Sequence, residues 1–161
     1  MPADVFAQLS LFRGLSPAEI AVLRALFLPY HCDADTVIFE QGEPAEYLYL
    51  VVSGEVVVQY KPDDGPAILV ARVQDEGMVG WSAALRSRTY TSGAMATMNT
   101  DLLRVRGADL RALCGQEPKL GQVILDRLAG IIAERIRSTH AQVLALLELG
   151  MQISSFTQEV G

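Results

Sequence analysis

The run Gly77-Met78-Val79-Gly80-Trp81-Ser82-Ala83-Ala84-Leu85-Arg86-Ser87-Arg88-Thr89-Tyr90-Thr91-Ser92 gathers the residue types that an anion-binding loop needs. Gly80 followed by Ser82-Ala83-Ala84 can open a short helix whose first N–H groups are free to donate, and Arg86, Arg88, Thr89, Thr91 and Ser92 add further donors for a phosphate or carboxylate. The same residues allow an opposite reading, in which Trp81 fills the space as a core aromatic and the arginines are solvated. A second polar spot lies far downstream, where Thr139 and His140 follow Arg135-Ile136-Arg137-Ser138. Thr139 falls on an apolar helical stripe, where a hydroxyl is costly unless hydrogen-bonded. It therefore either contacts a ligand or a second chain, or bonds the helix carbonyl four residues back.

Several kinds of chemistry are not expected. The only histidines, His31 and His140, lie 109 residues apart, and no nucleophile–base pair accompanies them. A metal-dependent barrel enzyme needs clustered histidines and carboxylates, so neither catalysis nor a metal site is expected. The balance of 13 Lys+Arg against 19 Asp+Glu, a formal charge of -6 and a pI near 4.8, has the wrong sign for binding phosphate backbones, so no nucleic acid is expected as a partner of this chain alone. Cys32 and Cys114, 82 residues apart, suggest two buried thiols in a reducing cytosol. The N-terminus has no basic segment and no signal-type apolar run. No apolar stretch approaches the roughly 20 residues that span a bilayer, so a soluble, cytoplasmic protein without a membrane partner is expected.

The elements that must position these groups follow from the pattern. Ser16-Pro17-Ala18-Glu19 is a capping box with proline at the first helical position, and Ile20, Leu23, Leu26 and Phe27 follow at helical spacing, which predicts a helix over about Pro17–Leu28. From Tyr30 the chain turns to short β-rich runs at 36–40, 47–52, 55–60, 67–73, 93–97 and 102–105, separated by turn residues, as in an antiparallel roll or barrel. Gly107-Ala108-Asp109 opens a further short helix. Pro118 starts a last helix of at least thirty residues, roughly 50 Å at about 1.5 Å per residue. Leu125, Leu128, Ile132, Ile136, Thr139, Val143, Leu146, Leu149, Ile153 and Phe156 recur every three or four residues, the seam of a packed or coiled helix. Such a helix is longer than its own domain is wide, so the expectation is a roll with flanking helices over residues 1–117 and a dimerisation helix over 118–161, pairing as a homodimer through 118–156. Gly150 is expected to mark a kink or the end of regular pairing.

The segment from Gly42 to Val58, an acidic turn followed by an alternating apolar strand, a Ser53-Gly54 turn and a second strand, resembles the signature of the cyclic-nucleotide-binding domain family, of the CRP/FNR-like sensor type. The likeness runs from Leu11-Phe12-Arg13-Gly14-Leu15-Ser16 through Leu102-Leu103-Arg104-Val105 and into the long helix. It implies an α+β fold: a double-stranded antiparallel β-roll, jelly-roll-like, with short flanking helices, a loop that cradles the cyclic phosphate, and a long C-terminal helix that dimerises. It also implies a regulatory, ligand-sensing role and a cyclic nucleotide, cAMP or cGMP, or another small anion as the ligand.

The loop departs from that pattern. In nucleotide-binding members a glutamate meets the ribose and an arginine holds the phosphate. Trp81 occupies the glutamate's place, and the arginine's place falls on Tyr90 or Thr91. A charge-assisted hydrogen bond contributes about 1.5–3 kcal/mol, so losing both weakens binding by roughly two to four powers of ten. The ligand-binding candidates are Gly80, Trp81, Ser82, Ala83, Arg88, Tyr90, Thr91, Ser92, Thr139 and His140, with no catalytic or metal-binding residue among them. Two roles stay open, a modified ligand sensor and a ligand-free dimerisation or docking domain. Many members carry a helix-turn-helix after the dimer helix, and the eleven residues after Gly150 are too few for one. The expectation is a natural N-terminus at Met1-Pro2, with the C-terminus either natural or cut from a longer regulator.

Overall fold

The computed structural model describes residues 3–83 and 88–160, with side chains at all of these except 3, 4, 136, 138, 139, 142, 143, 146 and 149–160. The chain opens with α1 (Ala3–Gln8) and α2 (Pro17–Leu26), continues through β1 (Leu28–Cys32), β2 (Val37–Phe39), β3 (Tyr47–Ser53), β4 (Val56–Tyr60), β5 (Ile68–Val73) and β6 (Met78–Val79), and makes a 3-10 turn at Trp81–Ala83. It then forms β7 (Gly93–Ala96), β8 (Thr100–Arg106), α3 (Gly107–Gln116) and α4 (Pro118–Val160). The strands make two antiparallel four-stranded sheets, in the orders β1-β8-β3-β6 and β2-β7-β4-β5.

Strand β3 shows how the sheets stack. Leu48 and Leu50 point to a core shared with all four helices, among Phe12, Leu23, Leu103, Leu110 and Ile124. Tyr49 and Val51, on the opposite face, point into the roll among Phe39, Val56, Val58, Val79 and Leu102. The period-two alternation of the sequence thus covers both faces of one sheet, with helices on one side and the second sheet on the other. The turn from β3 to β4 depends on Gly54, whose φ of +110° suits glycine and whose Cβ position lies 2.8 Å from the Thr100 Cα.

The capping box closes in both directions: Ser16 Oγ accepts from Glu19 N–H at 3.2 Å and Glu19 Oε1 accepts from Ser16 N–H at 3.0 Å. The Ser16 N–H bond to the carboxylate, with the Ser16 side chain as the second contribution, holds the Glu19 carboxyl below its ordinary pKa. Helix α2 ends at Leu26, two residues before the sequence expectation, because the Phe27 N–H bonds Leu23 O and the chain then enters β1. Proline in Leu28-Pro29-Tyr30-His31-Cys32 hid β1 from the strand pattern. It is tolerated because β1 is an edge strand, where one missing donor faces outward. Cys32 is buried as expected, whereas Cys114 on α3 is half-exposed.

Helix α4 spans 43 residues, about 64 Å at ~1.5 Å per residue. Leu120, Ile124 and Leu128 bury against the roll, and Ile131 packs beside them. Leu128, which the stripe assigns to a seam with a second chain, is therefore a core residue of its own domain, while Leu125 on an adjacent face is 41% exposed. The helix passes through Gly150 without a break. One helical glycine costs about 1 kcal/mol, which good helix formers on either side offset.

Candidate functional site

The segment Arg88–Tyr90 lies as a short strand against the turn Gly42–Ala45. Ala45 N–H donates to Arg88 O at 3.0 Å, Tyr90 N–H to Glu43 O at 2.9 Å and Gly42 N–H to Tyr90 O at 2.9 Å, with a bridge pairing Pro44 and Thr89. This pairing turns the Tyr90 ring into the roll. The ring stacks on Phe39 with centroids 3.8 Å apart and 19° between planes. Past the end of β6, the Tyr47 N–H and C=O of β3 both meet the Tyr90 hydroxyl: Tyr90 Oη donates to Tyr47 O at 2.6 Å and accepts from Tyr47 N–H at 3.0 Å. Burial raises the Tyr90 phenol above its ordinary pKa, so the ring is neutral at physiological pH.

Gly80 permits this stack. Its φ is +78°, and a Cβ there would lie 2.8 Å from Tyr47 O and 3.3 Å from both the Phe39 and Tyr90 rings. The cavity that remains, bounded by Gly80, Trp81, Ser82, Tyr90, Thr91 and Ser92 together with Phe39, Val58 and Arg135, is about 10 Å³. Drug-sized ligands occupy clefts of about 300 Å³ or more, so this space holds at most a water. Tyr90 and Phe39 take up the interior of the roll at this point. Trp81, the residue that the sequence offered for that part, sits half-buried at the edge of the helix-side core.

The remaining candidates divide. Ala83 is buried and its N–H is taken by Gly80 O at 3.1 Å, so the turn does not offer it as a free donor. Its carbonyl accepts from Arg111 Nη1 at 3.0 Å. Thr91 lines the residual cavity from an exposed position and Ser92 from a half-buried one, while Arg88 is exposed. His140 is exposed on α4; the side chain of Thr139, like the whole of Arg86, lies outside the described residues.

Sequence reasoning missed Arg135. Its Nη1 donates to Met78 O at 2.8 Å, and its guanidinium lies 5.6 Å from the centroid of the Trp81 ring. Burial lowers its pKa, since no carboxylate among the described residues reaches it. One signal was available: Arg135 precedes Thr139 by four residues and shares its helix face.

The family model for the cyclic nucleotide-binding domain matches residues 29–117, and the chain belongs to that family. It is 24% identical over 144 residues to a CRP-like cAMP-activated global transcriptional regulator of Mycobacterium tuberculosis, covering 89% of this chain and 62% of that protein. It is 27% identical over 133 residues to the cyclic AMP receptor protein of Thermus thermophilus, covering 83% of this chain and 60% of that one. The chain thus spans less than two thirds of the length of these curated relatives. Among solved structures, a cyclic nucleotide-binding domain from Methylobacillus flagellatus superposes with a TM-score of 0.76 at 24% identity, over 88% of this chain and 79% of that one. The Thermus thermophilus catabolite activator protein superposes at 0.67 and 27% identity, over 84% and 62%. The α+β roll of the CRP/FNR-like type is therefore the fold, and regulation is the general role of such domains. Some relatives are enzymes, such as an acetyltransferase of Mycolicibacterium smegmatis that is 31% identical over 90 residues, 56% of this chain and 27% of that protein. No described helix is long and apolar enough to cross a membrane.

Proposed function

We propose that this chain is a non-catalytic regulatory domain whose nucleotide pocket is closed by its own Tyr90 and which works as a homodimer through α4. The Tyr90–Phe39 stack carries this reading: a neutral aromatic ring, bonded at both hydroxyl functions to Tyr47, stands where relatives of this family need room and positive charge. In this reading cAMP and cGMP are not ligands of the usual pocket. The roll of residues 1–117 is the regulatory body and 118–161 the assembly element. α4 supports that division because Leu128 is the last buried residue among its described side chains, while Leu144 and Leu147 are 45% and 59% exposed. The proposed setting is the cytoplasm.

Titration with cAMP and cGMP, followed through Trp81 fluorescence and melting temperature, tests the closed pocket. No change up to millimolar nucleotide is expected, and micromolar binding by the wild-type chain refutes it. Sedimentation tests the assembly: a dimer mass at micromolar concentration is expected, and a monomer rejects the pairing.

A further inference from the structure

The roll-side face of β8 changes character along the strand. Leu102 packs inside the roll, whereas Arg104 and Arg106, the next residues on the same face, lie beside Tyr30 of β1 and Tyr47 of β3. The Arg104 guanidinium stands between two aromatic rings, 4.5 Å from the Tyr30 centroid and 4.3 Å from that of Tyr47. Arg106 lies 5.5 Å from the same Tyr47 centroid and donates from Nε to Tyr47 Oη at 3.2 Å. Two cations thus share one tyrosine, and among the described residues neither has a carboxylate within ion-pair distance. Glu46 and Asp109 act on Arg106 only from farther away. Tyr47 is a fixed support, since Tyr90 Oη bonds both its N–H and its C=O. The cluster is reachable from solvent: Arg104, Tyr30 and Tyr47 are half-buried, Arg106 is exposed, and so is Leu28, which pairs with Arg104 across β1 and β8.

We propose that Arg104 and Arg106, braced by Tyr30 and Tyr47, form a surface site for a phosphate monoester, whose dianion lies across the edges of the two guanidinium groups. Stacking occupies the faces of the Arg104 guanidinium and leaves in-plane N–H donors, the geometry that meets oxyanions in pairs. Two neighbouring like charges repel each other, and a doubly charged group offsets both where a carboxylate offsets one. The chain's formal charge of -6 disfavours an extended polyanion and leaves a single dianion as the fit. The site shares no side chain with the residual space beside Tyr90. The ester stands either on a small molecule or on a phosphorylated side chain of a partner protein, and in the second case Leu28 receives an apolar neighbour of that side chain.

The probes are phenyl phosphate and phenyl sulfate, alike in shape but a dianion and a monoanion at pH 8, titrated onto the folded full chain by calorimetry while NMR follows the arginine Nε–H signals. One-to-one binding of the phosphate is expected, at least about 10-fold tighter than the sulfate, the minimum that one more charge-assisted hydrogen bond supplies, with shifts at Arg104 and Arg106. Arg106→Met, at an exposed position, should remove that preference. Arg104→Lys keeps the charge but not the planar stack and should weaken phosphate binding as well. Lys119→Met, which removes an exposed cation on α4, should change nothing. Trp81 fluorescence, which reports on Arg135, should not follow the titration. Equal affinity for the two probes, a preference that survives Arg106→Met, phosphate affinity unchanged in Arg104→Lys, an equal loss in Lys119→Met, or a Trp81 signal that saturates with the ester overturns the proposal. So does a wild-type chain that binds neither probe. A phosphoserine–leucine peptide then distinguishes the sources: binding tighter than the free ester and lost in Leu28→Ser places the ester on a protein, and binding no tighter places it on a small molecule, the site standing in either case.

Discussion

Tyr90→Phe isolates the hydroxyl that closes the pocket. The substitution keeps the ring on Phe39 and removes two bonds, the donation to Tyr47 O at 2.6 Å and the acceptance from Tyr47 N–H at 3.0 Å. Each bond contributes about 1 kcal/mol net, and the Tyr47 groups are left largely away from water, so a loss of about 2 kcal/mol is expected. For a domain of this size that lowers the melting temperature by roughly 4–8 °C. Urea unfolding should show a lower midpoint at unchanged slope. Tyr90→Ala should cost more, about 3–5 kcal/mol, and leave a ring-sized cavity with apolar walls. Such a cavity takes up small aromatics, so adding p-cresol should recover part of the melting temperature of Tyr90→Ala and none of the wild type. If Tyr90→Phe stays within about 0.5 kcal/mol of wild type, or if Tyr90→Ala is as stable as Tyr90→Phe and indifferent to p-cresol, the ring does not plug the roll.

Other outcomes follow from separate parts of the structure. Gly80→Ala forces an alanine to φ +78° with its Cβ 2.8 Å from Tyr47 O, and should lose about 1–3 kcal/mol in chemical denaturation. Arg127→Met removes the guanidinium that holds Leu11 O and Arg13 O, so amide exchange across the first fourteen residues should accelerate before the sheets are affected. The protonated His31 ring donates from Nδ1 to Asp101 Oδ1 (2.8 Å) and from Nε2 to Asp33 Oδ1 (3.1 Å), and these bonds, that to Asp101 first, raise its pKa. Because the folded-state value lies above the unfolded one of about 6.5, the stabilisation is complete below that pH and disappears as pH rises through the folded-state value. The melting temperature of wild type relative to His31→Gln should therefore fall across that window; a difference independent of pH would refute the assignment.

Legibility in the sequence followed the range of the interactions. The Ser16–Glu19 box, the alternation of Tyr47–Val52 and the Gly54 turn are set by neighbours a few residues apart, so α2, β3 and the turn from β3 into β4 could be read directly. Strand β1 could not, because Pro29 is acceptable only at a sheet edge, and an edge is a property of the assembled sheet. The same limit governed the site. The loop Gly77–Ser92 could be recognised, and the loss of its two charged anchors at Trp81 and at Tyr90 or Thr91 was visible as residue types.

Which aromatic closes the roll was not legible. Tyr90 turns inward because Arg88–Tyr90 pairs with Gly42–Ala45, more than forty residues away, and because Tyr47 offers an N–H and a C=O where β6 ends. Trp81 is displaced to the helix side, where Arg135 meets it. The sequence by itself determined the roll, the long helix and the missing nucleotide anchors, since those depend on local pattern and residue identity. The tertiary structure alone decided that Tyr90 stacks on Phe39 inside the roll and that Arg135 packs between Met78 O and the Trp81 ring, since such contacts arise only when distant segments pack.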